Sequence, residues 1–157
     1  WPVCHRVFTF VCPIGFPMGA QLHHALESTG GPTVILMGDW HLDGVDADAL
    51  ATARTLAHSG KWALVRLNPC PGPDAEDPAL PPGFGRISHG GPYSVSLQPS
   101  FWTPAMLDVI DPRYTPWAIE LTGTERLATM QADTVPECGS KSYIVGYHEL
   151  SLKGRRL

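Results

Sequence analysis

The stretch Thr33-Val34-Ile35-Leu36-Met37-Gly38-Asp39 decides the fold, because it joins a short apolar run to an acidic residue. An uninterrupted apolar run of this length, bounded by turn residues, predicts a strand that is buried on both faces of a parallel sheet. Asp39 then falls just past the carboxyl end of that strand, where ligands collect in open α/β sheets. We therefore expect a functional site that starts at Asp39.

Helical and strand patterns alternate on either side of this run. The spacing of apolar residues predicts helices over Met18–Ser28 and over Asp46–Ser59, with Asp46 as the N-cap of the second. Residues rich in β-branched and aromatic side chains predict strands at Val3–Val11 and Trp62–Leu67. The order β, α, β, α, β predicts a mainly parallel sheet with right-handed crossovers.

The second half of the chain is more irregular. Asn68–Pro92 is rich in Pro and Gly and predicts a long loop, which in a compact domain is usually functional or disordered. Beyond it we expect a strand at Tyr93–Leu97 and a helix at Pro104–Ile110. A second helix is expected at Thr115–Ala128, with Thr115 as its cap, and a last strand at Tyr143–Tyr147. No domain boundary is visible, so we expect one domain over residues 1–157.

Composition excludes several classes of function. The net charge is -4, so the chain lacks the basic footprint of a nucleic-acid-binding protein. No apolar run approaches the roughly 20 residues needed to span a bilayer. The four cysteines show no CxxC spacing, which favours free thiols in a reducing compartment such as the cytoplasm. The dinucleotide GxGxxG, P-loop, GxSxG and HExxH motifs are absent.

The acidic rim supplies the first candidate site. Asp39 and Asp43 offer the oxygen ligands that a hard divalent cation prefers, and His41 could add a nitrogen ligand for manganese or zinc. The alternative is that Asp43 only makes a turn and that His41 is simply exposed. Three other places on the chain carry residues suited to chemistry or binding.

Glu120 lies among apolar neighbours, which suits a general base, although it could equally be a surface glutamate paired with Arg126. Trp117 could stack on a sugar or a base, or belong to the core. Gln98 ends a predicted strand and offers both a donor and an acceptor to a hydroxylated ligand. Trp102, close to Gln98, is either a second binding residue or a core residue.

Two candidates lie near the end of the chain. His148 could be a metal ligand or a base, and Lys153 could contact a phosphate as a point charge. The alternative for Lys153 is a solvated basic tail with Arg155 and Arg156.

The sequence contains several short motifs that point to one group of proteins. They are Val45-Asp46 at the start of a helix, "ALVRLNPCPGP", "PYSVSLQPSFW", "DPRYTPWAIELTGTERL", a late "KG", and Trp1-Pro2, similar to a "YWP". Together they resemble a group of bacterial and phage proteins described as glycosyltransferase-like. This resemblance covers nearly the whole chain and implies a GT-A-like fold, a Rossmann-like α/β sandwich with a mixed, mainly parallel sheet.

The resemblance also implies roles for residues. Asp39 would be the retained acid of a DxD-type motif that holds manganese or magnesium against a nucleotide sugar, although Gly38 replaces the acid that relatives often carry before it. Glu120 would fall near the base of inverting enzymes, and His148 near a late histidine that joins the metal. The chain starts after the strand and helix that hold the nucleotide base in GT-A domains, which implies a missing N-terminal β-α unit.

Three functions remain open at this point. The first is a glycosyltransferase that transfers a sugar from a nucleotide sugar to an acceptor, with metal assistance. The second is a non-catalytic carbohydrate-binding or assembly module with the same fold, favoured by the short chain and by Gly38. The third is a small metal-dependent hydrolase that uses Asp39, His41 and Asp43.

Overall fold

The computed structural model of the chain describes residues 17–37, 40–132, 135–149, 151–152 and 155–156. The expected strand at Val3–Val11 lies outside these residues, as do Gly38, Asp39 and Lys153. In the described part, no helix has both the length and the apolar character needed to cross a membrane.

Within the described residues, three α-helices form where the sequence predicts them: α1 (Met18–Thr29), α2 (Ala47–His58) and α3 (Pro116–Ala128). Each of the last two begins at a side-chain cap, since Asp46 accepts from the amide of Ala49 and Thr115 accepts from the amide of Ala118. Helix α1 ends at Gly30, whose φ of 62° is the left-handed conformation of a helix stop. The helix expected at Pro104–Ile110 is a 3-10 helix over Pro104–Asp108.

The strands are short, and most lie in one sheet. Its members are β1 (Thr33–Ile35), β3 (Leu64–Arg66), β4 (Phe84–Arg86), β5 (Ser100–Trp102) and β6 (Glu137–Ser140), in the order β1-β5-β3-β6-β4. A two-stranded ribbon pairs β2 (Trp40–Val45) with β7 (Val145–Glu149), and β8 (Ser151–Leu152) pairs with β9 (Arg155–Arg156). The fold is therefore mixed α/β, as predicted.

The prediction of a mainly parallel sheet is wrong. Among the described strands, only β3 and β6 are parallel neighbours, whereas β1 with β5, β3 with β5, and β4 with β6 are antiparallel. Strands β1 and β3 do run in the same direction, as the β-α-β pattern implies, but β5 lies between them and pairs with both. The alternation of helix and strand in the sequence predicts the directions of β1 and β3. It cannot predict that a strand from later in the chain lies between them.

The strand expected at Tyr93–Leu97 is also wrong, and the strand begins at Ser100 instead. The backbone of this segment is bonded to side chains, two of them on α3, rather than to the backbone of another strand. The amide of Val95 donates to Thr124 Oγ1, and the amide of Leu97 donates to Glu120 Oε1. The segment therefore lies along α3 before it enters the sheet.

The sheet separates two apolar clusters. Leu64 and Trp102 face α1, α3 and the 3-10 helix, whereas Val65, Phe101 and Cys138 face α2. Alternate residues of each strand point to opposite faces, so these three-residue strands contribute to both clusters. Because the middle strand β3 is buried at all three positions, it joins the two halves of the core.

Candidate functional site

One edge of the sheet holds several of the predicted site residues. Strands β1, β3 and β6 run in the same direction and end at Ile35, Arg66 and Ser140, and we call the edge where they end the carboxyl edge. In the register of the sheet, Ile35 and Arg66 both pair with Ser100, the first residue of β5. The segment that leads into β5, including Gln98, therefore lies at this edge.

The β2–β7 ribbon is attached to the carboxyl edge by Asn68, two residues after β3. The side chain of Asn68 bonds to the backbone of Val145 in the way that a neighbouring strand would. Its nitrogen donates to the carbonyl of Val145 at 2.9 Å, and its oxygen accepts from the backbone amide of Val145 at 3.1 Å. Asn68 is completely buried, so these bonds are shielded from water. The ribbon consequently begins beside the end of β3.

A second attachment joins the ribbon to Gln98. The hydroxyl of Tyr147, in β7, donates to Gln98 Oε1. Since Oε1 is the acceptor of the amide, this bond leaves the two donors on Nε2 to meet a ligand. Tyr147 was not among the predicted site residues, although it lies next to His148, and nothing in the local sequence indicates its contact with the distant Gln98.

The ribbon also carries residues predicted to bind metal. His41 and His148 are direct cross-strand partners, and Asp43 lies where the register shifts between Leu42 and Gly44. Asp43 is exposed, and of His148 only the backbone is described. No group of three or more His, Cys, Asp or Glu side chains able to hold a metal occurs within the described side chains, a set that excludes Asp39 and His148.

Glu120 holds the segment before β5 in place. Its Oε1 accepts from the amide of Leu97 at 2.9 Å and from Ser96 Oγ at 3.2 Å. One turn later on the same side of α3, Thr124 bonds to both backbone groups of Val95. No protein group of the described chain donates to the second oxygen of Glu120, Oε2.

Trp117 lies three residues before Glu120 and therefore on the same side of α3. Thr124 contacts Val95, and Glu120, one turn earlier on α3, contacts Leu97, which is two residues later in the segment. By the same relation, Trp117 lies about one helical turn further along α3 in the direction of Gln98. Its side chain is 72% exposed, so its ring is available to a ligand.

Trp102 and Lys153 do not join this group. Trp102 lies in the middle of the sheet between Thr33 and Leu64, and its side chain is completely buried. It packs in the apolar cluster against α1 and α3 and has no surface to offer a ligand. Lys153 lies outside the described residues, so its predicted phosphate contact stays a prediction.

Two ionisable residues are buried within the sheet. Arg66 is completely buried, and Glu137 is 2% exposed on the neighbouring strand. Burial raises the pKa of Glu137 to about 8, although the positive charge of Arg66 opposes this shift. Burial likewise lowers the pKa of Arg66 to about 10. Neither oxygen of the Glu137 carboxyl group has a hydrogen-bond partner in the described part of the molecule.

Two surface clefts lie apart from these residues. One, of about 290 Å³, lies at the opposite edge of the sheet and is lined by Gly30, Gly60, Lys61 and Trp62 among others. The other, of about 350 Å³, lies between the start of α2 and the end of β6. Neither of these two clefts is lined by a predicted site residue.

Sequence reasoning missed two residues whose signals were present. Arg66 stands within the otherwise apolar run Trp62–Leu67, and a charge in a buried strand indicates a special role. Tyr93 follows Gly91-Pro92, at a turn position that normally requires glycine. Both residues lie at the carboxyl edge.

Comparisons of the chain with protein-family models, with curated proteins and with solved structures find no match in any of the three. The resemblance to glycosyltransferase-like proteins therefore stays a prediction from sequence motifs. The chemistry of the site has to be inferred from its residues and their geometry.

Proposed function

We propose that this chain is a glycosyltransferase-like domain that transfers a sugar from a nucleotide sugar to the hydroxyl group of an acceptor. The observation that carries the proposal is that Gln98 contacts the β2–β7 ribbon, that the exposed ring of Trp117 lies one turn before Glu120 on α3, and that Glu120 itself bonds to Leu97, next to Gln98. These are an amide, an exposed aromatic ring and an oriented carboxylate, which are the groups that a sugar-transferring site needs.

Each side chain has a role that follows from its contacts. The exposed ring of Trp117 stacks on the apolar face of a sugar. Gln98, whose oxygen is fixed by Tyr147, presents its amide nitrogen to a ligand oxygen. Glu120 is fixed through Oε1, so Oε2 can accept the proton of the acceptor hydroxyl while the new bond to the sugar forms and the bond to the diphosphate breaks.

A divalent metal, manganese or magnesium, is part of this proposal. Asp39, Asp43 and His148 are the residues that would hold it, and the cross-strand pairing of His41 with His148 near Asp43 supports a mixed oxygen and nitrogen donor set. When bound, such a metal neutralises the charge of the diphosphate leaving group. A GT-A-like version of the mixed α/β fold and a cytoplasmic location belong to the same proposal.

Calorimetry tests the proposal directly. Purified protein is titrated with UDP-, GDP- and CMP-sugars, with and without manganese. We expect one class to bind with a Kd in the range of roughly 1 μM to 1 mM that is typical of enzyme substrates, and to bind more weakly without the metal. Failure of every combination to bind would contradict the proposal.

Glu120→Gln separates catalysis from binding. The substitution keeps an oxygen acceptor for Leu97 and Ser96 but removes the base, so we expect unchanged binding and a loss of transfer of about 100-fold or more. Glu125→Gln, at an exposed position of the same helix, is the matched control and should leave transfer unchanged. Equal transfer rates in the two variants would remove Glu120 from the chemistry.

A non-catalytic carbohydrate-binding or assembly module is the second candidate. The observation that favours it is the structural use of Glu120, which already fixes the segment before β5. This function predicts sugar binding that is lost in Trp117→Ala, with no transfer to any acceptor and no effect of Glu120→Gln. Detectable transfer by the wild-type protein would exclude it.

A further inference from the structure

Tyr93 occupies an unusual backbone position. Residues Gly91 to Ser94 form a tight turn that is closed by a hydrogen bond from the amide of Ser94 to the carbonyl of Gly91 at 3.0 Å. Pro92 is the second residue of this turn, and Tyr93 is the third, with a φ of 56°. It is the only residue other than glycine with a positive φ in the described part of the chain.

Such a turn normally has glycine at its third position. With proline second and a positive φ third, it matches the pattern of a type II turn, in which a residue with a Cβ is disfavoured. A bulky side chain in this conformation is an outlier that the surrounding structure must hold in place. The chain therefore keeps a tyrosine at a position where glycine would be more stable locally.

Arg66 holds the turn. Its Nη2 donates to the carbonyl of Tyr93 at 3.0 Å and to that of Ser94 at 2.7 Å. Its Nη1 donates to the carbonyl of Pro71 at 2.8 Å, in the loop that follows β3. Charge-assisted bonds from a completely buried guanidinium group are strong, so the end of β3 fixes both loops at the carboxyl edge.

Packing in the core does not explain why position 93 is a tyrosine. Its side chain is 46% exposed, and it belongs to neither of the two apolar clusters. The ring is therefore held at the surface of the carboxyl edge, five residues before Gln98 on the same segment. Backbone strain in an exposed residue whose backbone is held by hydrogen bonds from a buried side chain is characteristic of functional sites.

We infer that Tyr93 is a ligand-contacting residue of the candidate site, whose ring stacks on a flat face of the nucleotide sugar. This inference rests on the proposed function and extends it, because it gives the site a second aromatic contact beside Trp117. The flat face is either the nucleobase or the sugar ring, since both stack on aromatic side chains. Arg66 acts as a positioning residue that keeps the turn in its strained conformation.

Tyr93→Gly tests the inference, because glycine relieves the strain while removing the ring. We expect the variant to bind the best nucleotide sugar of the calorimetric panel about 10-fold more weakly, while its Tm stays within about 2 °C of the wild-type value or rises. Tyr93→Phe keeps the ring and should bind within about threefold of wild type. Titration with the nucleotide alone and with the sugar alone shows which face stacks.

Tyr143→Gly is the matched control, since Tyr143 is a 64% exposed tyrosine that borders the start of α2 on the other face of the sheet. It should bind like wild type. If Tyr93→Gly binds normally while Trp117→Ala does not, the inference is overturned and the proposed function stands. A fall in Tm of more than about 5 °C with normal binding would assign Tyr93 a structural role instead. Absence of binding to the wild-type protein overturns both.

Discussion

Glu137, the first residue of β6, is a buried carboxyl group whose protonation makes the stability of this fold depend on pH. It lies beside Leu64 of β3, on the face of the sheet that also carries Arg66. No hydrogen-bond donor of the described chain reaches its carboxyl group. The loss of hydration therefore outweighs the attraction of Arg66, and the group is protonated at neutral pH in the folded protein.

This protonation predicts that stability falls as the pH rises. In the unfolded chain, the pKa of Glu137 returns to about 4.5, whereas in the folded protein it is about 8. Between these values the unfolded chain releases a proton that the folded protein keeps, so the free energy of unfolding decreases until the pH exceeds 8. The full loss is on the order of 5 kcal/mol. Urea unfolding at pH 5, 7 and 9 measures it.

Glu137→Gln should flatten this pH dependence, because an amide does not titrate. The exposed Glu125→Gln serves as control and should follow the wild-type curve. If the wild-type protein and Glu137→Gln show parallel curves across this range, the carboxyl group is ionised in the folded state and the argument from burial fails.

At the scale of single elements, the packing of α1 depends on the absence of a side chain at Gly19. A Cβ atom built there would lie 2.1 Å from the carbonyl oxygen of Asp111 and 3.0 Å from the carbonyl carbon of Pro112. The amide of Gly19 also donates to the carbonyl of Tyr114 at 2.9 Å. The start of α1 is thus seated directly on the backbone of the chain before α3.

We expect Gly19→Ala to destabilise the protein by roughly 2–3 kcal/mol, although alanine is the better helix former. Gly123→Ala in α3 is the matched control, because its Cβ would meet Val95 Cγ1 at 3.4 Å, an ordinary contact. That variant should be neutral or gain up to about 1 kcal/mol. Chemical denaturation compares the two, and equal effects would show that α1 does not need this close approach.

The helices could be predicted from the sequence because their signals are local. Asp46, Thr115 and Gly30 mark ends within a few residues of the helix that they terminate. Strands β4 and β6 escaped prediction because each has three or four residues, too few to show a period, and Phe84–Arg86 lies inside a Pro- and Gly-rich segment. At the site, Glu120, Gln98 and Trp117 were identified by residue type, whereas the contacts of Tyr147 and Arg66 depend on pairing between distant segments.

At the scale of the whole molecule, the central sheet and the ribbon should differ in local stability. Strand β3 has a neighbour on each side and all its residues are buried, whereas residues 41–45 of the ribbon are exposed. Regions with few buried contacts open without global unfolding. We therefore expect backbone amides of β3 to exchange with deuterium about 100-fold or more slowly than those of β2. Equal exchange would show that the ribbon unfolds only with the core.

The position of β5 between β1 and β3 has a consequence for how the chain folds. Each pairing in the sheet joins distant residues, such as Thr33 with Trp102 and Leu64 with Glu137. Long loops must close before these contacts form, so folding in milliseconds to seconds is expected rather than in microseconds. During synthesis, β3 gains its second neighbour only after β6 leaves the ribosome. Strands β1, β5 and β3 can pair once β5 has emerged, but the other side of the apolar strand β3 stays without a partner until β6 follows.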